Sequence, residues 1–113
     1  MLEIQTRHVQ PDLVVLELSG RLTLGRDCKQ LEWTTENLVR EHHKKVILDL
    51  TGVTHIDSTG IGIIMSSAGH VRSVGGELRL AGATGHAGEV LKITGVDKVV
   101  PLHATSAVAA AGF

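Results

Sequence analysis

The spacing of apolar residues changes repeatedly along this chain, and few architectures accommodate that pattern. LEIQTRHV (Leu2 to Val9) alternates, with Leu2, Ile4, Thr6 and His8 on one side. After the turn-prone pair Pro11-Asp12, LVVLELSG sets Val14, Leu16 and Leu18 on one face. Two alternating runs joined by a short turn predict an antiparallel hairpin. From Leu24 to Arg40 the spacing becomes helical, with Leu24, Cys28, Leu31, Thr35 and Leu38 recurring at steps of four and three. KKVILDL then reads as a strand covered on both faces. Ser58 to Gly75 is helical again through Ile61, Ile64, Met65, Ala68, Val71 and Val74, and Gly75-Gly76 ends it. ELRLAG alternates, and AGEVLKITG is a short helix stopped by Gly95. KVVPL is a last strand with Pro101 at its end or on an edge, and ATSAVAAAGF is an alanine-rich terminal helix.

The predicted order is β-β-α-β-α-β-α-β-α. Strands alternating with helices require an α/β fold. We expect a mixed sheet of four or five strands, parallel after the N-terminal hairpin, with about four helices against it. The 113 residues suffice for one core and contain no visible boundary, so residues 1–113 are read as a single domain. Aromatics make up only 2% of the chain, and the core must come from Val, Leu, Ile and Ala.

The same scarcity of aromatics removes the stacking platforms that single-stranded nucleic acids need. Eleven basic against twelve acidic residues leave no positive field for direct nucleic-acid binding or an anionic membrane. No apolar segment approaches the ~20 residues needed to span a bilayer, so no membrane insertion is expected. MLEIQTRHVQ has no signal-peptide pattern, and the one cysteine, Cys28, cannot form an internal disulfide. Together these predict a small, soluble, cytoplasmic domain.

The chemistry concentrates in THIDSTGIGIIM (Thr54 to Met65), where a strand exit becomes an apolar helix. Asp57, Ser58 and Thr59 suit the four unpaired N–H groups at a helix start. One side chain can cap while another stays exposed, and loops beyond the carboxyl ends of such strands are where partners and ligands bind. An aspartic-protease triplet is excluded, because Asp57-Ser58-Thr59-Gly60 is one residue too long and leads into a helix. The turn lacks the Gly-Lys-Ser/Thr ending of a phosphate-binding loop, and the glycine-rich GATGHAG (Gly82 to Gly88) has no lysine. A catalytic Ser58–His55 pair would need a Gly-x-Ser-x-Gly elbow. No cofactor is expected. Seven histidines, of which only His42 and His43 are adjacent, share no ligand-like spacing, and no metal is expected. Asp49, interrupting VILDL, either anchors the following turn or supports the Ser58 loop. Trp33 falls off the apolar stripe of its helix and is expected to be partly exposed.

VILDLTGVTHIDSTGIGII, with GGELRLAG, ITGVDKVVPL and LELSGRL, resembles the STAS domain over essentially the whole chain. The most similar type is the stand-alone anti-sigma factor antagonist of bacterial partner switching. The most specific piece is Asp57-Ser58-Thr59-Gly60 before an apolar helix. The resemblance implies a non-enzymatic antagonist that, unphosphorylated, binds an anti-sigma factor serine kinase and so frees a sigma factor for transcription. It also implies that phosphorylation of Ser58 by that kinase switches it off and a phosphoserine phosphatase resets it. The partner-binding surface would then include Asp57, Ser58, Thr59, Gly60 and Thr23. Many members carry Asp where this chain has Thr23, a change that bears on partner choice. The alternatives are a STAS subunit docked constitutively in a membrane-transport assembly and a small nucleotide-binding protein.

Overall fold

The computed structural model describes residues 2–10 and 12–113. The opening hairpin is β1 (Leu2–Gln10) against β2 (Leu13–Leu22), antiparallel from Leu2↔Gly20 to His8↔Val14. Pro11 of the expected turn lies outside the described residues. Helix α1 (Arg26–Arg40) leads to β3 (Lys45–Ile56), and α2 (Ser58–Ser73) leads to β4 (Glu77–Ala81). Helix α3 (Gly85–Thr94), a 3-10 turn (Val96–Lys98), β5 (Leu102–His103) and α4 (Ser106–Ala111) complete the order. The five strands lie in the order β1-β2-β3-β4-β5, and every pair after the hairpin is parallel. This is the mixed sheet that the alternating periods predict.

Alternation within the strands divides the core between the two sheet faces. Val14, Leu16, Leu18, Val46, Leu48 and Leu80 point into a large cluster closed by α1, α2 and α3. Leu13, Val15, Ile47 and Ala81 point to the other face, into a smaller cluster closed by Ala109 of α4. Fully buried side chains such as Leu16, Leu48 and Ile64 each contribute about 1.5–3 kcal/mol relative to exposure. Arg79 of β4 ties α4 down: its guanidinium donates to the carbonyls of Ala109 (2.8 Å) and Gly112 (2.9 Å) and lies 3.8 Å over the Phe113 ring.

Three expectations need correction. KVVPL is not a strand throughout: Val100 N–H donates to Val96 O at 2.8 Å in a helical turn, and pairing starts only at Leu102. Pro101 precedes that strand, and its carbonyl accepts the Leu80 N–H at 2.8 Å. The buried stripe of α2 is Gly60, Ile64, Ser67, Ala68 and Val71, while Met65 and Val74 face outward. Helix α2 packs against α1, β3 and β4, and at Gly60 its first turn comes close enough to the end of β2 that only a residue without a Cβ fits. Helix α1 buries Cys28, Leu31, Thr35 and Leu38 as expected, but it begins after Gly25 and leaves Leu24 outside.

Candidate functional site

Because β2, β3 and β4 run parallel, they all deliver the chain to one end of the sheet. The turns β2–α1, β3–α2 and β4–α3 therefore gather there. At the centre is Asp57, in extended backbone at φ −106° and ψ −175°, the N-cap of α2. Its Oδ1 accepts the Gly60 N–H at 2.9 Å, and its carbonyl accepts the Ile61 N–H at 3.0 Å. Its other oxygen, Oδ2, accepts the Leu24 N–H of the β2–α1 turn, also at 2.9 Å. One carboxylate thus joins two turns 33 residues apart in sequence. Donation from Leu24, then from Gly60, holds the Asp57 carboxyl below the ordinary aspartate range.

With the cap supplied by Asp57, the next side chain is released. Ser58 is exposed, Thr59 is half-buried and Gly60 is buried. Gly60 belongs to the packing of the turn, since a Cβ there would collide with the carbonyl oxygen of Leu22 at the end of β2. That close approach seats the first turn of α2 beside β2, so Gly60 positions Ser58 rather than facing outward with it. Thr23 is half-buried next to Leu24, and its carbonyl accepts the Cys28 thiol at 2.9 Å. Burial, with the charges of Asp57 and Asp27 nearby, pushes the Cys28 thiol pKa up, which suits an inert core cysteine.

The structure thus brings Asp57, Ser58, Thr59, Gly60 and Thr23 to one end of the molecule. It adds a residue that the spacing assigned to the core. Leu24 is 79% exposed and stands beside the turn, held by the Asp57 carboxylate. Gly25 and the first-turn acid Asp27 were the signals that the helix starts later. His55 and His86 also meet here, with ring centroids 5.5 Å apart, although no sequence spacing connects them. Among the described residues no group of three or more potential ligands gathers to hold a metal ion. Asp49 anchors its own turn, accepting the Thr51 N–H at 3.0 Å and the Thr51 hydroxyl at 2.6 Å. A polar cleft of about 240 Å³ lies on the other sheet face, lined by Gln5, Glu17, Asp49 and Thr51 among others, and does not include Ser58.

An exposed serine on a capped helix start, in this strand order, invites comparison with known proteins. The STAS domain matches residues 4–109. This chain belongs to the STAS family. BtrV of Bordetella bronchiseptica, provisionally named an anti-sigma factor antagonist, is 32% identical over 87 residues, covering 77% of this chain and 75% of that one. The crystal structure of a Thermotoga maritima protein, also provisionally named an anti-sigma factor antagonist, superposes with a TM-score of 0.87 at 22% identity, over 96% of this chain and 92% of that one. The Bacillus cell-fate determinant SpoIIAA, solved in its phosphorylated form, gives a TM-score of 0.74 at 19% identity, over 95% and 96%. The STAS fold is therefore shared. No helix among the described residues of this STAS chain is long and apolar enough to cross a membrane.

Proposed function

We propose that this STAS protein is an anti-sigma factor antagonist switched by phosphorylation of Ser58. Unphosphorylated, it binds an anti-sigma factor that doubles as a serine kinase. Phosphorylation by that partner ends the binding, and a phosphoserine phosphatase restores it. The chain acts by binding, without turnover of its own. The observation that carries this reading is the division of work at the β3–α2 turn. Asp57 occupies the cap, which leaves the Ser58 hydroxyl exposed in the first turn of α2, at the end of the sheet where three turns converge. The phosphorylated form of the structurally similar SpoIIAA supports the same reading.

The physical chemistry of the switch follows from that position. A phosphate adds about −1.5 to −2 charges at a helix N-terminus, where an anion is tolerated. The fold therefore keeps its shape while the surface offered to the partner gains negative charge and bulk beside Asp57. A pull-down from the native cell identifies the kinase, and incubation with it and ATP followed by mass spectrometry locates the phosphate. Wild-type chain carries it on Ser58, Thr59→Ala still does, and Ser58→Ala does not. Ser58→Asp keeps the fold and weakens binding. Phosphate on Thr59, or undiminished binding by Ser58→Asp, overturns the proposal.

A further inference from the structure

β1 is an edge of the sheet, and it is nine residues long. Among the described residues it pairs with β2 alone. An edge of this length presents a row of unpaired N–H and C=O groups, and proteins usually blunt it with proline, a bulge or a covering element. From Glu3 to Arg7 this strand has no proline, and its register slips only beyond His8. Glu3, Gln5, Thr6 and Arg7 are exposed and Ile4 is half-buried. Helix α1 takes the first outward amide, with Leu2 N–H donating to Asp27 Oδ2 at 3.1 Å. Amide direction alternates along a strand, so the amides of Ile4 and Thr6 share that outward direction.

The side chains along this edge are complementary to themselves. In antiparallel pairing about a two-fold axis at Gln5, Glu3 stands opposite Arg7 of the second copy, and Arg7 opposite its Glu3. Ile4 then faces Thr6 in the same way. Opposite charges directly across a strand pair stabilise it and like charges oppose it. Registers centred on Glu3 or on Arg7 place like charges face to face, and those centred on Ile4 or Thr6 leave Glu3 and Arg7 without an opposite charge across the pair, so the Gln5 register is the one that matches both charges. Arg7 is prepared for the contact, because its Nε lies 3.4 Å from Glu17 of β2 and the rest of the guanidinium fork remains for a second carboxylate. We infer that β1 is the docking edge for a second copy of this chain, joining two five-stranded sheets into one through antiparallel β1–β1 pairing centred on Gln5. Such a contact is isologous, each copy giving the same strand. β2 separates this edge from β3, so both Ser58 turns remain open and the inference stands apart from the phosphorylation switch.

Sedimentation of the full chain from dilute to millimolar concentration tests it. The wild type shifts from monomer to dimer as concentration rises. Thr6→Pro removes an outward amide without touching the β1–β2 ladder, so it stays folded by circular dichroism and loses the dimer. Glu3→Arg and Arg7→Glu each set like charges across the axis and sediment as monomers. Mixed together, those two variants restore opposite charges at both contacts and recover the dimer. A wild type that stays monomeric throughout, or a dimer that persists in folded Thr6→Pro, overturns the inference. So does failure of the mixed variants to associate.

Discussion

Asp57 is where single-residue chemistry weighs most. Its two oxygens serve two separate turns, accepting from Gly60 and from Leu24. Asparagine offers only one acceptor oxygen, so Asp57→Asn must forfeit one of these bonds while retaining the size of the side chain. The carboxyl is held below its ordinary value, and the sign of the linkage follows. The stabilisation from the charged form is fully present above the unfolded aspartate pKa, about 4, and is lost as pH falls through the folded value. Melting temperature measured from neutral to strongly acid pH is therefore expected to fall more steeply for the wild type than for Asp57→Asn. Parallel curves would refute this account. Capping by Asp57 was one of the options open in the sequence, since Asp, Ser and Thr all cap well. Its bond to Leu24 was not legible, because a contact across 33 residues leaves no local spacing.

Among the elements, α2 illustrates both what periodicity reveals and what it hides. The helix, its start at Ser58 and the parallel strand before it were all readable from the shift of period at THIDSTGIGIIM. The inner stripe was not, because hydrophobicity does not report how closely two backbones approach. Met65 looks like a core residue by composition, yet Gly60 and Ser67 take the inner positions that the close packing requires. The same limit explains Leu24, which matches the stripe of α1 by spacing although its backbone lies in the turn before it. Close approach also makes a prediction. Gly60→Ala forces a methyl group against the Leu22 carbonyl, and overpacking of this kind costs roughly 1–3 kcal/mol. Gly62→Ala in the same helix has open space around its Cβ and should stabilise by about 0.4–1 kcal/mol. Urea titrations of both variants decide the matter; equal effects would remove the case for a special role of Gly60.

At the scale of the whole molecule, the near absence of aromatics leaves Trp33 as a lone optical probe. It is 63% exposed, on the side of α1 away from the buried stripe. Its emission maximum in the native state should already lie near that of a solvated indole and move little on unfolding in denaturant, while circular dichroism records the full transition. A large red shift would place Trp33 in a buried setting. The parallel strand order has a last consequence of a different kind. Helices α1, α2 and α3 all begin at the same end of the sheet, so three backbone dipoles of roughly half a positive charge each converge there. At that same end sit the carboxylates of Asp57, the cap of α2, and Asp27, in the first turn of α1, so the partial charges of the helix starts are met by fixed acids beside Ser58. Ionic strength screens such neighbours over about 10 Å at 0.1 M salt, so the salt response of an encounter at this end is set by the groups around Ser58, whose own hydroxyl carries no charge.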